Sequence, residues 1–246
     1  MVSDVQQHYD DLLAAHYSWM SGITFAEKVA EQHNLLNNLG FADGGRGCAV
    51  DLGCGPGYQA VALSELGYSN VIALDTSEAL LNELRIASQG QSITPVLADL
   101  RDIANHVGEG TADAIVCMGD TITHLDHRDD VARLLDDAYR ALRSGGRLAL
   151  TYRDFSLELT GTDRFIPVRS DDQRIMTCVL EYEADHVVVT DLIHLRSEAG
   201  WQLQKSSYRK LRLAPSWVVD MLRGAGYSVE FDAPIGRMQT VVACKP

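Results

Sequence analysis

Ala49-Val50-Asp51-Leu52-Gly53-Cys54-Gly55-Pro56-Gly57 decides how the chain reads. A short apolar run ends in three glycines at alternate positions, and residues 57–66 continue with a helical pattern. A strand that runs through a glycine turn into a helix is where a doubly wound sheet binds ligands, beyond the C-terminal ends of its strands. Glycine permits the tight turn and lets a ligand approach the backbone closely.

The pattern extends in both directions. Residues 71–74, 94–97, 113–117 and 146–152 form further short apolar runs, alternating with helical stretches at 77–88 and 127–142. Such alternation predicts βαβ units and a parallel sheet with helices on both faces. Upstream, 4–20 and 23–39 predict two helices joined near Ser21-Gly22. Phe25, Val29, Leu35, Leu36 and Leu39 recur at helical spacing, and Gly40 follows as a stop. After Tyr152 the alternation ends. Residues 174–183, 186–195 and 201–212 are β-rich, with turn-like points at Ala184-Asp185 and Ala199-Gly200. A helix at 215–224 and strands at 227–231 and 238–244 complete the chain.

The expected fold is α/β: a doubly wound, mostly parallel, seven-stranded Rossmann-like sheet. It carries an N-terminal helical lid and an antiparallel β-rich insertion near the C-terminus. Within one domain spanning 1–246, residues 1–44 form the lid, 45–152 the ligand-binding core, 153–213 the β-rich extension and 214–246 the last helix and strands.

Bulk properties narrow the function. The 246 residues carry a formal net charge of −13, from 34 acidic and 21 basic side chains. A surface this acidic repels phosphate backbones and disfavours a nucleic-acid partner. No apolar run reaches membrane-spanning length, and the N-terminus has no leader-like composition. A cytoplasmic protein without membrane partners is expected. Cys48, Cys54, Cys117, Cys178 and Cys244 are odd in number and widely spaced, which reads as reduced, mostly buried thiols. His124 and His127 lack an evident third metal ligand, so no metal is expected.

Three acids refine the glycine turn. Asp51 closes the first strand. Asp75 closes the second, about 20 residues beyond the turn, where an acid can accept both hydrogen bonds from a ribose diol. Asp99-Leu100 follows the third, where an acid and an apolar neighbour can hold the edge and face of an adenine. A dinucleotide enzyme would carry G-x-G-x-x-G and aim helix amides at a pyrophosphate. Here the third glycine comes one position early, and Asp51 suits a cationic ligand better than an anionic one.

Together, AVDLGCGPG, ALDTS, LADL, DAIVCMGDTITHL and LRSGGRLALTYRD resemble the class I methyltransferases over roughly residues 45–152. The resemblance implies S-adenosylmethionine (SAM) as methyl donor and S-adenosylhomocysteine as product. It implies that Asp51, Gly53, Cys54, Gly55, Gly57, Asp75, Thr76, Asp99, Leu100 and Met118 hold the cofactor. A nearer resemblance is to the glycine and sarcosine N-methyltransferases. Cys117 to Leu125 is similar to their C-x-G-N-S-x-x-H-L, with Asp120 in place of Asn, and Tyr152-Arg153-Asp154-Phe155 is similar to their R-N-Y-D. An aromatic segment at Tyr17 to Met20 is similar to their cofactor cover and implies that Trp19 touches SAM.

The expected reaction is methyl transfer to a small molecule, an amine nitrogen on a carboxylate-bearing metabolite. Arg153 would clamp the carboxylate in two-point fashion. His124 would orient the acceptor or take a proton, and Asp120 would stabilise the positive charge shared between sulfur and nitrogen. Homodimerisation is open. So are an O- or S-methyltransferase of a hydrophobic metabolite and a catalytically silent SAM-binding regulator.

Overall fold

The computed structural model describes residues 4–42 and 47–246. Residues 1–3 and 43–46, assigned above to the lid and the start of the core, lie outside the described residues.

Seven strands form the main sheet: β1 (Cys48–Leu52), β2 (Asn70–Asp75), β3 (Ile93–Leu97), β4 (Ala112–Cys117), β5 (Leu142–Tyr152), β10 (Ser228–Ile235) and β11 (Met238–Cys244). Their order is β10-β11-β5-β4-β1-β2-β3, parallel except for β11, which runs antiparallel to both β5 and β10. Both faces of the central strands are apolar, so both must be covered. Val50, Leu52, Ile115, Leu148 and Leu150 pack on one face with α7 (Arg128–Ala141) and α8 (Pro215–Gly224). Ala49, Ala73, Ala114, Val116 and Ala149 pack on the other with α3 (Phe25–Asn38) and α4 (Tyr58–Glu65). The small side chains on this second face let the helices lie close to the sheet.

Helices α5 (Glu78–Ala87) and α6 (Ile103–His106) complete the crossovers. Helix α3 starts at a capping box: the Glu27 backbone N–H donates to Thr24 Oγ1 at 3.3 Å, and Thr24 N–H donates back to Glu27 Oε2 at 2.8 Å. The chain from 4 to 20, read above as one helix, is α1 (Asp4–His8), a π turn (Tyr9–Leu13) and α2 (Ala14–Met20). Single π turns inside helices frequently sit at functional sites, and this one presents Tyr9.

A second, antiparallel sheet of four strands follows β5. Its order is β6 (Phe165–Ser170), β7 (Arg174–Tyr182), β8 (His186–Ser197) and β9 (Gly200–Leu211). Strand β6 was not legible in the sequence. Pro167 argues against a strand, yet it is tolerated because β6 is an edge and its register shifts between Pro167 and Arg169. The inner face of the sheet, with Met176, Leu180, Val187, Val189, Ile193 and Tyr208, closes on Phe155 and on the N-terminal helices. No helix among the described residues is long and apolar enough to cross a membrane.

Candidate active site

The glycine turn is knitted to the neighbouring strand. Gly53 and Cys54 N–H groups both donate to Leu74 O, at 2.8 and 2.9 Å. Gly53 and Gly57 have φ of +70° and +96°, a region that costs an L-residue roughly 1–2 kcal/mol. Space excludes a side chain as well: a Cβ on Gly53 would run into Thr121, and one on Gly57 into Leu84. Gly57→Ala is therefore expected to destabilise the fold by about 2–4 kcal/mol, combining backbone strain with overpacking. Denaturant melts check this value.

Asp75 anchors the turn. Its Oδ2 accepts from Gly55 N–H at 2.7 Å and its Oδ1 from Ser77 N–H at 2.8 Å. Burial raises its pKa, and these backbone donors only partly offset the effect. Each oxygen keeps lone pairs for a further donor.

A cavity opens at the C-terminal strand ends. Gly53, Gly55, Asp75, Thr76, Asp99, Leu100, Gly119, Thr121 and His124 line it from the main sheet. Val5, Tyr9 and Tyr17 line it from the N-terminal helices. Asp99 is already engaged: Arg101 N–H donates to its Oδ1 at 2.9 Å and Arg101 Nη2 to its Oδ2 at 2.6 Å. Burial would raise the Asp99 pKa, but Arg101 outweighs it and holds the group low.

Other expected cofactor residues stand behind the lining. Cys54 and Met118 are buried in the core beneath it. Asp51 is also buried, and its Oδ2 has no hydrogen-bond partner. Burial, with repulsion from Asp75, pushes the Asp51 pKa up to about 8. Trp19 does not line the cavity. Its Nε1 donates to Asp171 Oδ2 at 2.5 Å, and its ring packs against the guanidinium groups of Arg169 and Arg174. It joins α2 to the second sheet, while Tyr17 and Tyr9 cover the cavity.

Asp120, Arg153 and His124 sit beyond Gly119. Asp120 is the single non-glycine residue with positive φ, +80°, among the described residues, and it is 1% exposed. Its Oδ1 accepts from Arg153 N–H at 2.6 Å, and its Oδ2 accepts from Arg153 Nη1 and, at 2.9 Å, from Lys210 Nζ. Burial would raise the Asp120 pKa, but the Lys210 ammonium and Arg153 guanidinium hold it well below the usual carboxylate range. Arg153 is thus paired within the site. Its guanidinium remains half-exposed.

Burial pushes the His124 pKa down to about 3, aided by Lys210, so its imidazole is neutral at working pH. His124 Nε2 has no partner, and the ring lies beside Tyr9 and Tyr208. Burial raises the pKa of the Tyr9, Tyr17 and Tyr208 phenols, which stay protonated.

Sequence reasoning did not find Lys210. It lies 90 residues from Asp120 in the chain, and no spacing links them. The available signal was the pleat of β9, which turns Tyr208 and Lys210 inward and Arg209 outward. The His8–Asp191 pair was also missed. His8 Nε2 and Asp191 Oδ2 are 2.9 Å apart in a buried setting, and Cys178 Sγ donates to the other Asp191 oxygen at 2.7 Å. This pair pins α1 to the second sheet.

The fold, the positive-φ glycine turn and the acid-bearing strand ends form an α/β domain whose cavity suits a nucleoside. Comparison with known proteins makes the class specific. Residues 49–146 match the methyltransferase domain family. The glycine/sarcosine N-methyltransferase of Aphanothece halophytica is 28% identical over 155 residues, covering 62% of this chain and 54% of that protein. The one from Halorhodospira halochloris is 31% identical over 107 residues, 43% of this chain and 40% of that protein. The chain thus spans about half the length, or less, of these curated relatives. The SAM-bound amino pentose methyltransferase CalS10 of Micromonospora echinaspora superposes with a TM-score of 0.74 at 16% identity, covering 94% of this chain and 95% of its own. A SAM-dependent methyltransferase of Clostridium acetobutylicum also gives 0.74, at 15% identity, covering 96% and 98%. Residues 49–146 thus match a methyltransferase domain, on a fold shared with SAM-dependent methyltransferases.

The residues present fit SAM. The Gly53 and Gly55 backbone and the free lone pairs of Asp75 line the cavity and suit a ribose-bearing ligand, and the unpartnered Asp51 carboxyl lies buried behind them.

Proposed function

We propose that the protein transfers the methyl group of SAM to the nitrogen of a small, carboxylate-bearing amine. The observation that carries this reading is the composition of the cavity. Glycine backbone and Asp75 form one wall, and a neutral, unpartnered histidine with the half-buried Tyr9 and Tyr17 forms the other. The curated relatives named as glycine/sarcosine N-methyltransferases support the acceptor class.

When bound, SAM supplies an electrophilic methyl on a sulfonium. The chain's own residues do the rest. Gly53 and Gly55 would hold the methionyl part, Asp75 the ribose hydroxyls, and Asp99 with Leu100 the adenine. His124 Nε2 would accept an N–H hydrogen bond from the acceptor amine and orient its lone pair. Tyr9 and Tyr17 close the cavity against water and present ring faces suited to a cation. Holding both reactants in attack geometry contributes roughly 7–11 kcal/mol to the rate.

Radiolabelled methyl-SAM incubated with amino acids, the corresponding decarboxylated amines, phenols and thiols tests the reading. Label is expected on amino-acid nitrogen. Label confined to phenols or thiols, or on no acceptor, overturns it. Asp75→Ala is expected to weaken S-adenosylhomocysteine binding by about 30-fold or more through lost charge-assisted hydrogen bonds, read by calorimetry.

A further inference from the structure

Asp120 is more tightly committed than a residue poised to meet a substrate. One oxygen takes the Arg153 backbone N–H, and the other takes both Arg153 Nη1 and Lys210 Nζ. It is also the single acid with which either cation pairs among the described residues. One carboxylate therefore stands between two cations. Asp191, another buried acid on the second sheet, has its oxygens taken by His8 Nε2 and Cys178 Sγ.

Lys210 is the unusual member. Its side chain is only 6% exposed, and an ammonium carries three donors. Asp120 uses one, and the charge otherwise lies 5.6 Å from the centre of the Tyr208 ring. A buried ammonium is costly unless paired and hydrogen-bonded. The cavity is close by: Gly119 and Thr121, which flank Asp120, line it, and so does His124, whose ring meets Tyr208 edge-on at 5.6 Å between centroids, next to the Lys210 ammonium.

The geometry points to Lys210, on β9, as a specificity-determining residue that with Arg153 forms a two-cation seat for the acceptor's carboxylate, with Asp120 as the scaffold that spaces them. This inference rests on the methyl-transfer reading and deepens it. The second sheet, not the SAM-binding core, would then choose a carboxylate-bearing acceptor over a neutral one. Asp120 would act as a positioning residue rather than a partner of the shared sulfur–nitrogen charge.

The test uses acetate as probe and its neutral isostere acetamide as control. Each is titrated by ligand-observed NMR into the protein with and without S-adenosylhomocysteine. Acetate is expected to bind wild type and acetamide not to compete. Lys210→Met is expected to weaken acetate at least about tenfold, and Lys210→Arg to keep it within about threefold, as for loss and retention of a buried charge partner. Affinity for S-adenosylhomocysteine is expected to be unchanged in both. Should Lys210→Met fail to fold, Lys210→Gln carries the same comparison. Acetate that binds the variant as well as wild type, fails to bind wild type, or is displaced equally by acetamide overturns the inference. Failure of wild type to bind S-adenosylhomocysteine instead overturns the methyl-transfer reading, and the two failures are read separately.

Discussion

Asp51→Asn is expected to make the protein more stable at pH 8 and to change it far less at pH 5. Asp51 is buried on β1, one of its oxygens has no partner, and burial with Asp75 nearby lifts its pKa to about 8. For an acid raised in the folded state, the relative stability is full below the unfolded pKa. It is lost as pH rises from the ordinary carboxylate range through the folded value. Asn keeps the shape and cannot ionise, so its advantage grows across that window and levels off above pH 8. Three pH units correspond to about 4 kcal/mol, an upper figure once the surroundings relax. For a chain of this length the melting temperature rises by roughly 2–4 °C per kcal/mol. Thermal melts of both proteins from pH 5 to 9 check it. Parallel curves would mean that Asp51 titrates normally.

Asp120→Ala should have the opposite effect. It removes the acid between Arg153 and the buried Lys210, and breaking a buried pair from one side typically costs about 3–5 kcal/mol. Asp120→Gly is expected to recover about 1 kcal/mol of that loss, because the position has φ of +80°. The pH signature differs from that of Asp51. The Asp120 pKa is depressed by its cations, so its contribution is present above the ordinary carboxylate range and lost as pH falls below it. The gap between wild type and Asp120→Asn should therefore narrow in acid. Urea melts at pH 7 and pH 3.5 measure both effects.

The glycine-turn side of the cavity was legible because it is local. A strand, a glycine turn and a helix occupy contiguous residues, and Asp75 and Asp99 fall at strand ends that hydrophobic runs mark. The parallel sheet followed from the same alternation. What escaped detection depends on distance in the chain or on exceptions to local rules. Strand β6 contains Pro167 and survives because it is an edge. Trp19 sits near the cofactor cover in sequence, but α2 turns its ring toward Asp171, Arg169 and Arg174. The π turn at Tyr9–Leu13 has no compositional mark. Lys210 and Asp191 meet their partners only through the pairing of β8 and β9 in the second sheet, and their spacing carries no motif.

The β8–β9 hairpin keeps an unbroken register from His186 opposite Leu211 to Ser197 opposite Gly200. Backbone bonds hold that register and do not depend on side-chain identity. Asp191, Tyr208 and Lys210 project to its inner side, and Thr190, Ser207 and Arg209 to the outer. The inner side is thus a row of side chains mounted on a frame separate from the glycine turn. On the reading proposed for Lys210, a change on this frame alters which acceptor is seated while the glycine turn, built on a different sheet, keeps its shape.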